Sequence, residues 1–507
     1  MSAFVTDQFR ILNAGSFVES ISNNSYYAFL GLSNPTPGSV GFGRTDNWNT
    51  STTNNPVDNF QYLSHYKDTS LFGKKITAEN ARRVIRKVQW VSNTPYDMYR
   101  HDYRQGNESS VSKTVRLYDS NYYIVTSEFK VYICIDNGSS GSNPSITGSL
   151  IEPTQTDVEP PVAGSDGYRW KYLFSILPSD VIKFDSTEFI IVPNNWEIST
   201  NSDIQTIREG GDSDINNNQI KAVYIENGGT GYSSGTASIV GDGSGATVSI
   251  VVDSSGTITS ANITNGGKGY TYGIIDLSAN SGSDSKLIPI IPPSKGHGYN
   301  IYEELGTDKV LMYARFDDST KDFPIDAKFA QVGIIKNPET FSSTPYVRTG
   351  VTFTENAFSS LYAVGLTTSR NVVIGEQITQ STSGAKGYVA SFDTDTKVLK
   401  YYQDRSLCFG NKEDQLDSAS TSNVIAFNST NDITFAQSSG SSSIDTNLNG
   451  SVIVVNNKQI NLGVTFANGL ADPEINKKTG TIIYIDNRPE VQRDSRQKED
   501  IKIILEF

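Results

Sequence analysis

Apolar and polar residues alternate with a period of two along much of this 507-residue chain. That period is typical of half-buried β-strands. Clear cases lie at 113–120 (KTVRLYDS), 121–136 (NYYIVTSEFKVYICID) and 501–507 (IKIILEF). Glycine, which many turns require, is abundant at 42 residues. We therefore predict a mainly β protein with several units, because one domain usually has about 100–200 residues.

Four short stretches favour helices instead. One helix is predicted from residue 55, where Asn suits the N-cap and the following Pro suits the first helical position. A second is predicted over 77–85 (TAENARRVI), with Thr77 as its N-cap. A helical turn or two is expected at 16–21 (SFVESI) and one turn at 178–182 (PSDVI).

The pattern Ile-x-Asn-Gly-Gly-x-Gly-Tyr occurs twice, at 225–232 and 263–270. A dinucleotide site needs a different glycine spacing between a strand and a helix, and a calcium roll needs tandem nonapeptides with Asp. We interpret the glycines as turns in which several residues need positive φ, and the copies as one duplicated β-unit that packs together. The turn residues are Gly228, Gly229 and Gly231 in the first copy and Gly266, Gly267 and Gly269 in the second.

The reactive side chains form no pattern that predicts catalysis or metal binding. The three histidines are not at metal-ligand spacing, and the two distant cysteines make no disulfide framework. The P-loop and HExxH patterns do not occur, and no serine is predicted at the strand-to-helix elbow that a GxSxG nucleophile needs. The acid pair Asp393 and Asp395 is interpreted as part of a solvated turn. We predict no catalytic, metal or cofactor-binding residue.

The charge of the chain indicates which classes of partner it can bind. The net charge of −13 makes nucleic acid a poor candidate, because such binding depends on a cationic surface. The cluster at 81–87 (ARRVIRK) is interpreted as a helix end or as a contact for an acidic protein. No apolar run reaches 18 residues, so no membrane insertion is predicted. The first residues lack a signal-peptide pattern, so we expect assembly in the cytoplasm.

Several short motifs, DGYRWKYLFSI at 166–176 foremost, occur in one order along the chain. Their main residues are Phe42, Gly43, Arg44, Trp48, Trp90, Asp166, Gly167, Tyr168, Trp170, Tyr172, Pro193, Asn487, Arg488 and Pro489. Together they resemble the baseplate wedge subunit called gene product eight in T-even-like contractile-tailed bacteriophages. The similarity covers most of 1–215, 296–345 and 460–507.

The resemblance implies a β-sandwich core with two short helix-bearing loops and no catalytic residue. It also implies a homodimer that contacts other wedge proteins in the virion tail, after assembly in the host cytoplasm. We expect three parts of the core at 1–219, 296–350 and 456–507. The β-rich segments at 220–295 and 351–455 would then be insertions, whose role the resemblance does not supply.

Two other functions stay open. The inserted segments could bind a receptor or host glycan, as parts of a tail appendage. Five tyrosines motivate this alternative, namely Tyr232, Tyr270, Tyr272, Tyr401 and Tyr402. A polysaccharide-degrading tail enzyme is the third hypothesis, and it would need a pair of carboxylates across a sugar cleft.

Overall fold

The computed structural model describes residues 4–32, 55–142, 146–158, 164–212, 217–317, 327–342, 348–403, 416–417, 420–492 and 497–507. The protein is 43% strand and 12% helix, distributed over several sheets. The prediction of a mainly β protein is therefore confirmed.

Five α-helices are present in the described residues. They are α1 Asp7–Asn23, α2 Phe60–Asp68, α3 Pro178–Phe184, α4 Ser202–Asp212 and α5 Ile301–Leu305. Two of them have side-chain caps that fix where they begin. Asn59 Oδ1 accepts from Tyr62 N at 2.9 Å before α2, and the Asn300 side chain accepts from Tyr302 N and Glu303 N before α5.

The predicted helix over 77–85 is wrong. A single 3-10 turn spans Ala78–Asn80, and the chain then continues as a strand from Ala81 to Arg86. Val84 and Ile85 are buried in this strand, opposite Ile191 and Ile190. Pairing of these β-branched residues overrides the helix propensity of Ala and Arg. The interpretation of 81–87 as a helix end is therefore also wrong.

Other boundaries also differ from the prediction. The first helix has 17 residues rather than a turn or two, and α2 begins at Phe60 instead of Pro56. Residues 113–120 hold a 3-10 turn at Leu117–Asp119 and no strand. The helical turn expected at 178–182 is confirmed as α3.

The strands occur in this order along the chain. The first thirteen are β1 Tyr26–Gly31, β2 Ser70–Ile76, β3 Ala81–Arg86, β4 Tyr123–Val125, β5 Lys130–Asp136, β6 Arg169–Ser175, β7 Phe189–Val192, β8 Val223–Thr230, β9 Gly235–Gly241, β10 Ser244–Val252, β11 Ile258–Lys268, β12 Gly273–Asp276 and β13 Ser283–Pro289. The others are β14 Lys309–Asp317, β15 Lys328–Lys336, β16 Ala357–Ser359, β17 Tyr362–Gly365, β18 Gln377–Thr379, β19 Lys386–Asp393, β20 Val398–Tyr402, β21 Leu416–Asp417, β22 Ser420–Val424, β23 Ile433–Phe435, β24 Ser441–Ser442, β25 Gly450–Val455, β26 Lys458–Phe466, β27 Leu470–Ala471, β28 Thr481–Gln492 and β29 Lys498–Glu506.

The chain divides into two compact units. Unit 1 comprises Met1–Val18, Arg82–Leu311 and Ile504–Phe507, and unit 2 comprises Glu19–Ala81 and Met312–Ile503. In unit 1, β4, β5 and β6 form one sheet, β11-β10-β9-β12 a second, and β13 pairs with β8. Unit 2 contains a five-stranded sheet, β16-β2-β1-β15-β28, and a seven-stranded sheet, β24-β23-β18-β19-β20-β17-β27.

Two regions of the chain contain different kinds of apolar core. The strands of residues 223–289 in unit 1 enclose mainly aliphatic side chains, such as Ile239, Val248 and Ile250. The seven-stranded sheet of unit 2 buries aromatic rings as well, and Tyr401 and Phe427 pack with their centroids 4.7 Å apart. Close packing of this kind gives each region a rigid interior.

Candidate functional site

The motif at 166–176 begins in a tight turn and continues as β6, an edge of the sheet β4-β5-β6. Gly167 has a φ of +84°, which glycine adopts without strain, and it turns the chain from Asp166 into the strand. Trp170, Leu173 and Phe174 are then buried along β6. The motif therefore combines one polar turn with one apolar strand.

Asp166 fixes a neighbouring loop through its carboxylate. Its Oδ2 accepts from Leu150 N at 2.9 Å, from Ile151 N at 3.3 Å and from Ser149 Oγ at 3.2 Å, while Oδ1 accepts from Tyr168 N at 3.2 Å. Burial raises the pKa of Asp166, but these hydrogen bonds together outweigh it and leave the pKa below its usual value. The charged carboxylate is thus the form that holds the loop.

Trp90 reaches the same loop from a different part of the chain. Its indole Nε1 donates to Ser149 Oγ at 3.2 Å, and its backbone N–H donates to Val125 O at 2.9 Å. Trp90 and Asp166 therefore meet at Ser149, although 76 positions separate them. Sequence reasoning missed Ser149, because a serine in a polar loop carries no recognisable pattern.

Three aromatic rings pack beside this loop. The rings of Tyr168 and Trp170 stack with centroids 5.6 Å apart and planes 7° apart, and Tyr96 meets Trp170 edge-on at 5.6 Å. The Tyr168 hydroxyl accepts from Tyr96 N at 3.1 Å and donates to Thr147 O at 2.9 Å. The Tyr96 and Tyr168 hydroxyls have hydrogen-bond partners within the protein and the three rings pack on one another, so the cluster acts as a rigid support.

Tyr172 and Pro193 occupy other places in unit 1. The Tyr172 ring packs against Tyr132 at 5.6 Å. The Pro193 carbonyl, just after β7, accepts from Tyr302 Oη at 2.6 Å. The Arg83 guanidinium lies 3.7 Å from the centroid of that tyrosine ring. The structure therefore does not bring all the motif residues of unit 1 to one point.

The last motif lies in unit 2, on β28. Asn487 is buried and its Oδ1 accepts from Gln331 Nε2 at 2.7 Å, while Arg488 Nε lies 2.6 Å from Asp486 Oδ2. Pro489 falls where the register with β15 shifts, on an edge strand of its sheet, which is where proline is tolerated. Phe42, Gly43, Arg44 and Trp48 lie outside the described residues.

The prediction that the strands end in these glycine turns is wrong for four of the six glycines, because Gly228 and Gly229 lie within β8 and Gly266 and Gly267 lie within β11. The six glycines are of two kinds. Gly229, Gly231, Gly267 and Gly269 have φ values of +62°, +73°, +63° and +76°. Gly228 and Gly266 do not have positive φ. Their constraint is space, because a Cβ would lie 2.5 Å from Ile258 O at Gly228 and 2.1 Å from Gln219 Cγ at Gly266. Both kinds of glycine are structural.

The duplication extends well beyond the eight-residue motif. Each copy has three strands, β8, β9 and β10 in the first and β11, β12 and β13 in the second. The first strand of each copy pairs with the last strand of the other, β8 with β13 and β11 with β10. The middle strands, β9 and β12, pair with each other. The sequence shows a faint trace of the extension, Gly-Ser-Gly at 243–245 and Gly-Ser-Asp at 282–284.

The two copies also hold each other through matching polar contacts. Asp242 of the first copy accepts from Thr271 N at 2.9 Å and from the Thr271 hydroxyl. In the second copy, the backbone carbonyl of Asn280 accepts from Ser233 N at 2.8 Å, and the side-chain Nδ2 of Asn280 donates to Ser233 O at 3.1 Å. We refer to residues 223–289 as the duplicated segment.

Two of the three histidines, His101 and His297, form hydrogen bonds within unit 1. His101 Nδ1 accepts from Ile291 N at 3.2 Å. His297 Nδ1 lies 2.6 Å from Glu304 Oε1, and both side chains are buried in unit 1. In the part of the chain that the structure describes, no group of three or more His, Cys, Asp or Glu side chains is placed to hold a metal ion.

A cavity of about 540 Å³ in unit 1 is lined by charged residues of both signs. Arg116 Nη1 lies 3.5 Å from Asp119 Oδ2, and Lys309 Nζ lies 2.8 Å from Asp308 Oδ1 and 3.2 Å from Glu506 Oε1. These charges pair along the wall and do not converge on one point.

The residues behind the two alternative functions differ in how exposed they are. Tyr270, Tyr401 and Tyr402 are buried and Tyr232 is half-buried, whereas Tyr272 is 59% exposed. Asp393 Oδ1 accepts from Asp395 N at 2.9 Å, within an exposed turn.

No protein-family model matches this chain, and no curated protein matches it by sequence. Among the described residues, none of the helices has the length and apolar character needed to cross a membrane.

Proposed function

We propose that this chain is a non-enzymatic structural subunit of the baseplate wedge of a contractile-tailed bacteriophage. The observation that carries the proposal is the set of motifs that occur in one order and resemble gene product eight. In this proposal the subunit is a homodimer that contacts other wedge proteins and enters the virion after assembly in the host cytoplasm. No bound cofactor, nucleic acid or membrane is part of the function.

The roles of the motif residues support the proposal. Asp166, Trp90 and Tyr168 each use their polar atoms to hold backbone and neighbouring side chains of their own region. Such residues stiffen a shape rather than present reactive groups to a substrate. A part that transmits force between neighbours needs that stiffness, together with large permanent interfaces of about 2,000 Å² or more.

We also propose the finer architecture that the resemblance implies. The core would be a β-sandwich with short helices, formed by residues 1–219, 296–350 and 456–507. The segments at 220–295 and 351–455 would be insertions into that core. The contacts that attach the duplicated segment to the rest of unit 1 include the hydrogen bond from Gly141 N to Ile225 O at 2.8 Å and the Arg100 guanidinium over the Tyr224 ring at 3.8 Å.

Assembly with purified partners tests the proposed function. The chain is mixed with the other wedge proteins of the phage that encodes it, and complexes are separated by size and weighed by light scattering. We expect a dimer of the chain alone and a stable larger complex with the wedge proteins. A chain that stays monomeric both alone and in that mixture would contradict the proposal.

One exposed surface favours the receptor-binding alternative as a second candidate. Tyr272 lies near the paired residues Val240 and Ile274, which are 58% and 69% exposed. An aromatic ring beside apolar side chains is a common platform for a sugar ring. Binding on a glycan array that disappears in Tyr272→Ala would support this candidate, and an unchanged or absent signal would argue against it.

A further inference from the structure

Strands β25 and β26 form a hairpin that, among the described residues, pairs with no further strand. Asn456 and Asn457 make the turn, with φ values of +49° and +63°, as in the tightest hairpin turns. The base of the hairpin is packed, because Leu462, Val464 and Phe466 are buried in unit 2. Ile453 packs against the same cluster, whereas Val454, Lys458 and Gln459 near the turn are exposed. A two-stranded ribbon alone is marginally stable in water.

The two strands differ in how they are protected. Residues 451–455 of β25 read SVIVV, with no charge and no proline, and Val452 and Val454 are 39% and 70% exposed. Proteins usually protect an open strand edge with lysine, proline or a bulge. Lys458 and Gln459 occupy the equivalent end of β26. The uncovered edge is therefore that of β25.

The register shows which backbone groups this edge presents. Val455 faces Lys458 across the two-residue turn, and Val454 faces Gln459. In such a hairpin the closing pair is hydrogen-bonded and the pairs alternate from there. Val454 and Val452 therefore direct their N–H and C=O groups away from β26. A further β-strand can form hydrogen bonds with these outward N–H and C=O groups.

We propose that β25 of a second copy of this chain pairs with β25, antiparallel and about a twofold axis. The chain carries a net charge of −13, so two copies repel each other over most of their surface, whereas 451–455 is uncharged. The five-residue run overlaps fully when Ile453 faces Ile453 of the second copy. Exposed valines then face valines across the new ladder, a favourable β-branched pairing. The inference gives the dimer of the proposed function a specific contact, and it rests on that proposal.

Two substitutions at one position separate backbone pairing from side-chain contact. Val454→Pro removes an outward N–H and leaves the ladder with β26 unchanged, whereas Val454→Thr keeps the N–H and a β-branched side chain. Dimer dissociation is followed by light scattering over a dilution series. We expect Val454→Pro to raise the dissociation constant about tenfold or more and Val454→Thr to change it much less.

Each other result overturns the pairing. A monomeric wild type overturns it together with the dimer of the proposed function. A dimer that Val454→Pro leaves unchanged overturns the pairing alone, and points to another surface or to a strand of a different protein at β25. Equal weakening by both variants would assign the effect to the valine side chain.

A cross-link tests the register without relying on proline. Directly opposed residues in a non-hydrogen-bonded antiparallel pair have Cα atoms about 4.5 Å apart, which suits a disulfide. In a background with Cys408→Ser, we expect Ile453→Cys to form a disulfide-linked dimer on mild oxidation. Thr465→Cys, at an exposed position near the base of the hairpin, is the matched control and should remain monomeric on a non-reducing gel. Failure of Ile453→Cys to cross-link, or equal cross-linking of both, would contradict the register.

Discussion

The duplicated segment and the β25–β26 hairpin differ in how the edges of their strands are paired. In the duplicated segment, each copy supplies a strand that pairs with a strand of the other copy. In the hairpin, two strands pair with each other and one apolar edge remains uncovered among the described residues. Both regions are rich in β-branched residues, so composition does not separate them.

The difference teaches that duplication can supply within one chain what an assembly supplies between chains. The reciprocal contacts of Asp242 with Thr271 and of Asn280 with Ser233 resemble the contacts of a twofold dimer. The hairpin contains half of such an arrangement. In the proposed pairing, β25 of a second copy supplies the other half.

The largest effect is expected at the glycine motif of the duplicated segment. In Gly229→Ala the new Cβ would lie 2.4 Å from Ser283 O at a φ of +62°, so strain and overlap add. We expect a loss of about 3 kcal/mol in local stability. Gly231→Ala is the matched control, because it has φ of +73° with its nearest neighbour at 3.8 Å, and should lose about 1–2 kcal/mol.

Hydrogen exchange measures this directly, through the opening free energy of amides in β8 and β13. Equal losses in the two variants would show that space at Gly229 is unimportant and would weaken the account of the motif.

Shortening a valine side chain to alanine should cost more stability at the base of the hairpin than near its tip. Val464, at the base, is 5% exposed, and Val464→Ala should cost about 2 kcal/mol in the stability of unit 2. Val454, near the tip, is 70% exposed, and Val454→Ala should change stability by less than about 0.5 kcal/mol. Urea denaturation at concentrations where the monomer predominates makes the comparison. A large loss at Val454 in the monomer would mean that the tip is already covered within the chain.

The two motif asparagines should behave alike. Asn227 Oδ1 accepts from Gly229 N at 3.0 Å, and Asn265 Oδ1 accepts from Gly267 N at 2.9 Å. Removing one such bond costs about 1 kcal/mol, so Asn227→Ala and Asn265→Ala should destabilise the duplicated segment by similar amounts. Hydrogen exchange of the two motifs provides the measurement, and effects that differ several-fold would contradict the equivalence of the copies.

The smallest effect is a pH dependence within the same segment. Hydrogen bonds from Thr271, first from its side chain and then from its backbone, lower the pKa of Asp242 to about 2. A carboxyl whose pKa is lowered on folding contributes stability above its unfolded pKa of about 4, and that contribution is lost as the pH falls toward 2. The difference in melting temperature between wild type and Asp242→Asn should therefore be constant above about pH 5 and shrink below pH 4. A difference that is independent of pH would show that the charge of Asp242 does not matter.

Local patterns predicted the strands better than the contacts between them. The period of two found β4, β5 and β29, and the repeated glycines marked the duplicated segment, because both signals are local. The exchange of strands between copies joins residues that are distant in sequence, such as Ser285 and Gly228, and no local pattern encodes it.

The failures have the same origin. The stretch 81–85 has helix-forming residues, but its pairing with β7 decides the structure. α4 lies in a polar stretch for which we predicted no helix. The meeting of Trp90 and Asp166 at Ser149 depends on tertiary structure, so the motifs indicated important residues without showing what they contact.

The proposed baseplate role is tested most directly by a density map of a contractile tail that contains this chain. The account predicts two copies of the chain in each baseplate wedge, in contact with other wedge proteins and with their β25 strands side by side. A baseplate that is complete without the chain, or that contains it in single copies, would contradict the account.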